Sequence, residues 1–343
     1  MKRFEHGGNV YAHPGCLDFS ANLNPLGMPA AAREALVRGV DAFEAYPDPA
    51  CTELVAALAA FEGVPPEWVV ACAGATDAFA RLCAALRPRS VLVCAPCYSG
   101  YEQAAEQVGA RVVRHLLERE GGFVATRALA DAIVRGIDMA FLANPNNPTG
   151  RCLPRDVLAS CLGRARETGT VVVLDECFVD LTRRAGSNDL LASHPGLVLV
   201  KACTKTFSLA GLRLGYALCA DEGLCARLRD VGQPWAVSVP AQVAGVACLS
   251  DAGYLRRSQE LVARERERLG AALAARGLNA IPGEANYLLF EGPEGLDAQL
   301  LHHRVLVRSC ENYVGLDGRW FRIAVRTPEE NDRLVHVLGE VLP

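Results

Sequence analysis

Short apolar runs alternate with longer amphipathic stretches through the middle of the chain. The runs Val69–Ala71, Val91–Cys94, Arg111–Arg114, Met139–Leu142, Val171–Leu174, Leu197–Val200 and Leu214–Leu218 read as strands, being brief and bounded by turn residues. Between them, Asp77–Leu86, Gly100–Val108, Arg127–Arg135 and Arg155–Glu167 carry helical spacing. This alternation predicts an α/β fold, a mostly parallel sheet with helices on both faces. Ligands of such sheets gather at the carboxyl ends of the strands. Gly74, Tyr98, Asn147, Asp175 and Lys205 all fall just beyond such ends.

Beyond Asp251 the pattern changes. Tyr254–Ala275 reads as one long helix whose alternating charges form a solvated face. Residues 285–291, 305–310 and 320–326 read as three short strands, and Pro328–Leu342 as a closing helix. The expected organisation is a large domain over 41–250 and a small α+β domain over 251–343. The first forty residues hold no continuous core pattern and are expected to pack on the small domain.

Composition narrows the class. The 343 residues are 51% hydrophobic and 22% charged, enough to bury a large core. A net charge of −4 gives no reason to expect nucleic acid or an anionic membrane as partner. The start, MKRFEHGGNVYAHPG, lacks the apolar stretch of a secretory signal, and no run reaches the roughly 18 apolar residues of a membrane span. A soluble, cytoplasmic protein is expected. The fourteen cysteines are scattered singly within apolar patterns, where free cysteine behaves as a small hydrophobe. Cys94 and Cys97 form a lone CxxC without a second pair at zinc spacing, and no metal site is expected.

Three strand ends carry the chemistry. Lys205 follows the run Leu197–Val200, Asp175 follows Val171–Leu174 directly, and Asn147 lies in the turn-rich NPNNPTG after Met139–Leu142. A lysine, an aspartate and an asparagine so placed suit pyridoxal 5'-phosphate (PLP). The lysine forms a Schiff base with the aldehyde, and the aspartate keeps the ring nitrogen protonated. A lone loop lysine would be an ordinary surface residue; this one has matching partners. Gly74-Ala75-Thr76-Asp77 opens a helix, so free backbone amides at Ala75 and Thr76 can receive a phosphate. Thr204 and Arg213 add a hydroxyl and a counter-charge. Tyr98 can stack on the pyridine ring, its alternative being a plain core aromatic.

Together these residues resemble the fold-type I PLP enzymes of the aspartate aminotransferase superfamily over nearly the whole chain. The nearest branch is that of the histidinol-phosphate aminotransferases and the threonine-phosphate decarboxylases of cobalamin biosynthesis. The match is most specific at NPNNPTG, at the Asp175 strand and from Thr204-Lys205 to Arg213. The resemblance implies the cofactor roles given above. It also implies that Tyr46, in Ala45-Tyr46-Pro47-Asp48, reaches the cofactor phosphate of a second copy, in a homodimer with shared sites. Phe178 stands where the aminotransferases carry a tyrosine, and Ala202 where a serine or threonine often meets the phosphate.

The two ends of the chain resemble the decarboxylases. The segment from His6 to Asn9, then Leu17 to Gly27, matches their start, and Val305 to Arg326 matches their C-terminal run. The resemblance implies that His6, Gly7, Asn22, Asn147, Arg308 and Arg322 hold O-phospho-L-threonine. The expected reaction is its decarboxylation to 1-amino-2-propanol phosphate, with histidinol-phosphate or related amino-acid transamination as the alternative. A PLP-binding regulator without turnover would carry an N-terminal DNA-binding domain, for which fewer than twenty residues precede Asp18.

Overall fold

The structure, a computed structural model, describes residues 6–251 and 253–342. Its strands are β1 (Leu17–Asp18), β2 (Val69–Cys72), β3 (Ser90–Ala95), β4 (Arg111–Leu116), β5 (Met139–Ala143), β6 (Val171–Asp175), β7 (Leu197–Ala202), β8 (Gly215–Cys219), β9 (Tyr287–Glu291), β10 (Val305–Leu306), β11 (Arg308–Ser309) and β12 (Trp320–Ala324). The large sheet has the order β2-β8-β7-β6-β5-β3-β4. The run from β7 to β4 is parallel throughout, and β8 lies antiparallel to both β7 and β2. This reversal has a functional consequence. Two antiparallel pairings in succession return β2 to the direction of the parallel strands, so the end of β2 and the start of β8 join one edge of the sheet.

The buried strands show why the apolar runs are continuous. Leu92, Ala140, Val172, Leu174 and Leu199 pack on one face of the sheet. Their neighbours Val91, Val93, Met139, Phe141, Val173 and Val198 pack on the other. Alternate residues thus face opposite layers and every position is apolar. Cys72, Cys83, Cys94 and Cys161 belong to these layers, and all fourteen cysteines are free thiols. Burial pushes the Cys94 thiol up to about 12 and the Cys97 thiol well above its ordinary value, which removes thiolate character from the CxxC pair.

A second sheet, β11-β12-β9, is antiparallel and covers a separate core containing Phe290, Phe321, Leu334 and Val337. β1 pairs in parallel with β10, and the Ala324 amide donates to the Phe19 carbonyl at 2.8 Å. The helix Ala30–Arg38 instead packs on the helix Val239–Leu249.

Three expectations need correction. Arg127–Arg135 is helical only over Ala128–Asp131, because Ile133 and Ile137 return to Ala130 and Val134 in tight i to i+3 turns, the second of which contains Gly136 at positive φ. The run 305–310 is two strands, since Val305–Leu306 pairs with β1 whereas Arg308–Ser309 pairs with β12. The helix Tyr254–Ala274 has a solvated face, but Glu265 on it is buried and accepts from Arg268 Nη2 at 2.7 Å and Asn331 Nδ2 at 3.0 Å.

Candidate active site

One cavity of about 260 Å³ opens along the carboxyl edge of the large sheet, where the small sheet and the N-terminal segment close over it. His6, Gly7, Asn22, Ala75, Thr76, Tyr98, Asn147, Asp175, Thr204, Lys205, Arg213, Arg308 and Arg322 all line it. Tyr46 does not. It is 79% exposed and stacks on Trp235, ring centroids 4.5 Å apart. Sheet topology explains much of the convergence. Ala75, Thr76, Tyr98, Asn147, Asp175, Thr204 and Lys205 lie at or beyond the ends of β2, β3, β5, β6 and β7, and Arg213 precedes the reversed β8. His6, Gly7 and Asn22 come instead from the N-terminal segment, and Arg308 and Arg322 from the small sheet.

Asp175 ends β6 as the last residue of a buried strand. Its Oδ1 accepts from the Cys177 amide at 2.9 Å, and its Oδ2 accepts from the Tyr101 hydroxyl. Burial pushes its carboxyl above the usual range, while these two donors and the charge of Lys205 pull the other way. Tyr101, stacked on Phe141 at 5.1 Å, was not singled out in the sequence. Its position three residues after Tyr98, in the first turn of the following helix, was the available signal.

Lys205 sits on a short helical turn, Cys203–Thr206, after β7. Its ammonium is lowered to about 8, first by desolvation and then by Arg322 and Arg213; Cys177 and Asp175 oppose the shift. An amine so poised is still mostly charged at neutral pH but carries a far larger unprotonated fraction than an ordinary lysine. The rate at which added PLP attaches to cofactor-free protein is therefore expected to rise with pH and level off above about 8. Stopped-flow absorbance across pH 6 to 10, an interval of about four units around the Lys205 value, checks this. A flat profile over that range would remove the depressed lysine from the account.

Opposite Lys205, the helix Ala75–Leu86 begins after Gly74 at φ +90°. The amides of Ala75 and Thr76, in the first helical turn, have no partner within the helix. A Cβ on Gly74 would lie 2.9 Å from Arg213 Nη2, so the guanidinium is held against the helix start. Arg213 itself is left-handed at φ +61°, a strained backbone of the kind that persists at functional sites. Helix amides, Arg213 and the Thr76 and Thr204 hydroxyls form an anion cradle. Tyr98 leans over it, its hydroxyl 3.3 Å from Thr76 Oγ1 and its ring 5.4 Å from that of His6.

The far wall carries a second set of cations. Arg308 and Arg322 are direct cross-strand partners of β11 and β12, both only 6% and 5% exposed. Arg322 Nη1 donates to Asn147 Oδ1 at 2.5 Å and Nη2 donates to the Ser20 carbonyl at 2.7 Å. The Nε of Arg322 is buried without a hydrogen-bond partner among the described residues. The Oδ1 of Asn22 is likewise orphaned. Buried polar atoms left unpaired on cavity-lining residues mark places for a ligand. The N-terminal segment is tied down here, since Gly8 N donates to Ser20 Oγ at 2.7 Å and Ser20 Oγ to Asp18 Oδ1 at 2.6 Å. Gly7 lies so close to the Ser20 carbonyl that a Cβ would clash at 2.4 Å. Phe178 packs edge-on against Tyr287 at 5.1 Å and offers no hydroxyl.

The cavity thus sets four cations, Lys205, Arg213, Arg308 and Arg322, against one carboxylate, Asp175. An amine, an anion cradle and a buried acid in one cavity fit PLP, whose aldehyde, phosphate and ring nitrogen they could hold. Among the described residues, no group of three or more His, Cys, Asp or Glu could hold a metal ion. None of their helices is long and apolar enough to cross a membrane.

Comparison with known proteins identifies the family. The sequence profile described as aminotransferase class I and II matches residues 14–338. The chain is 35% identical to the threonine-phosphate decarboxylase of Salmonella typhimurium, over 98% of this chain and 96% of that protein. It is 37% identical to histidinol-phosphate aminotransferase 2 of Ralstonia nicotianae, over 94% and 88%. The histidinol-phosphate aminotransferase structure from Clostridium acetobutylicum superposes with a TM-score of 0.89 at 25% identity, covering 95% of this chain and 98% of that one. A fold-type I sheet with a Lys205-centred cavity, matched over nearly its full length by such relatives, makes this chain a PLP-dependent member of the aminotransferase class I and II family.

Proposed function

We propose that the enzyme decarboxylates O-phospho-L-threonine, giving (R)-1-amino-2-propanol O-2-phosphate and CO2 for corrinoid synthesis. The carrying observation is the Arg308–Arg322 pair. Both arginines line the cavity from directly paired positions on adjacent strands, and two buried guanidiniums in one wall suit a ligand that carries more than one anionic group. O-phospho-L-threonine brings two anions at once, a phosphate and a carboxylate. The likeness to the Salmonella decarboxylase over nearly both full lengths supports the same reading.

In this reading His6, Gly7 and Asn22 join the arginines around the substrate. Asn147, its oxygen taken by Arg322, keeps its amide nitrogen for the cofactor's phenolic oxygen. Asp175 holds the proton on the ring nitrogen. PLP, when bound, supplies the sink for the electron pair released at Cα. Only a Cα bond perpendicular to the ring is broken, so the arginines choose the reaction by fixing where the carboxylate points. Lys205 then delivers the proton that replaces CO2 at Cα.

The exposed Tyr46 and Trp235, with Val37, Val40 and Phe43 also exposed, support a second copy covering this face. Tyr46 would meet the partner's cofactor phosphate there.

Arg308→Ala and Arg322→Ala test the reading. Each is expected to lower kcat/KM for O-phospho-L-threonine by about 10²-fold or more, as when one partner of a buried charge contact is truncated. Unchanged kcat/KM in both variants would remove the two-anion site.

A further inference from the structure

Tyr313 belongs to no role assigned above, yet it touches both arginines of the second cation set and Asn147. It lies in the loop between β11 and β12, where two successive turns fix its backbone. Its amide donates to the Cys310 carbonyl at 3.0 Å, and its carbonyl accepts from the Leu316 amide at 3.0 Å. Its ring face carries the Arg308 guanidinium, 5.5 Å from the centroid. Its hydroxyl lies 3.4 Å from Asn147 Oδ1 and 3.5 Å from Arg322 Nη1. Burial pushes the phenol up, so it stays a neutral donor.

We infer that Tyr313 is a specificity-determining positioning residue, a wedge that holds Arg308 on its ring face and Arg322 at its hydroxyl so that the two bind separate anions. The inference rests on the two-anion reading above. Arg308 and Arg322 start from directly opposed backbone positions. With nothing between them, two planar guanidiniums can close on one phosphate, each by a bidentate contact. The ring blocks that closure. Its electron-rich face satisfies Arg308, and its hydroxyl shares the Asn147 oxygen with Arg322. Arg308 is further oriented by Asn312, whose Oδ1 accepts from its Nη2 at 2.7 Å. The wall therefore favours a ligand carrying two separated anionic groups over one carrying a single group.

The test measures binding to the holoenzyme of two probes, inorganic phosphate and O-phospho-L-threonine, by calorimetry and by perturbation of the cofactor absorbance. Tyr313→Ala is expected to weaken O-phospho-L-threonine at least about tenfold while inorganic phosphate binds as tightly as before or more tightly. Tyr313→Phe keeps the wedge and loses the two long hydroxyl contacts, to Asn147 and from Arg322. It should weaken O-phospho-L-threonine by about three- to tenfold and leave phosphate unchanged. Equal weakening of both probes in Tyr313→Ala, or no effect on either in both variants, would overturn the wedge. If Tyr313→Ala does not fold, Tyr313→Phe decides alone, and unchanged O-phospho-L-threonine binding overturns it. Failure of the functional reading looks different. Wild-type enzyme that binds O-phospho-L-threonine no better than phosphate removes the two-anion site itself, whereas normal binding without CO2 release removes only the reaction.

Discussion

Lys205→Ala is expected to abolish turnover, with kcat falling by about 10⁴-fold or more. Two contributions disappear together. One is the covalent anchor of the cofactor, and the other is a proton carrier whose value of about 8 suits transfer near neutral pH. The variant should still fold. The lysine sits at the cavity rather than in the core, and removing a buried cation flanked by Arg322 and Arg213 relieves repulsion. Circular dichroism should therefore match wild type, while cofactor absorbance should be lost on dialysis. Residual activity within about tenfold of wild type would place the proton transfer on another residue.

The second large effect concerns stability. Behind the active-site strand, Lys201 on β7 is buried with its ammonium 2.8 Å from Glu62 Oε2 and 3.6 Å from Asp180 Oδ1. Glu62 also accepts from Asn188 Nδ2 at 2.6 Å and from the Tyr216 hydroxyl. Asp180 accepts from Thr206 Oγ1 at 3.2 Å, the residue next to Lys205. Glu176 is buried nearby and accepts from Ser187 Oγ at 2.8 Å. Carboxylates outnumber the single ammonium. Lys201 is accordingly held charged, whereas burial pushes Asp180 and Glu176 above the usual range. Lys201→Met leaves buried acid groups without their cation and is expected to cost about 3–5 kcal/mol. Urea unfolding of wild type and variant measures it. Pairing Lys201→Met with Glu62→Gln should recover part of the loss, since the acid group nearest the lost ammonium is then neutral while Asp180 and Glu176 remain. A cost below about 1 kcal/mol for the single variant would mean that the cluster is hydrated and carries little.

Much of this arrangement was legible in the sequence, for reasons that differ by residue. The strands of the large sheet are buried on both faces, so each is an uninterrupted apolar run with its functional residue just past its end. Asp175, Lys205 and Asn147 are read from that rule alone. The cradle at Ala75 and Thr76 was legible because glycine precedes a helix, although its closeness to Arg213 depends on the reversal of β8. Other features have no local signature. The opposition of Arg308 and Arg322 is a register between strands, and the run 305–310 divides between two sheets only because Val305–Leu306 meets β1. Tyr101 reaches the site from a helix turn, its spacing from Tyr98 the one weak signal, and Tyr313 from a loop, where nothing distinguishes it from a core aromatic. The Lys201 cluster joins residues more than a hundred positions apart, and its lysine, within an apolar run, reads only as an interruption. Tyr46 lies outside this chain's own cavity, and only the proposed second copy would give it a cofactor to meet.

The most direct measurement is product analysis of purified, PLP-loaded enzyme with O-phospho-L-threonine, in parallel with histidinol phosphate plus 2-oxoglutarate. The account predicts catalytic CO2 release with 1-amino-2-propanol phosphate from the first mixture and no glutamate from the second. Glutamate formation without CO2 would contradict it, and would assign the two arginines to a transamination substrate instead.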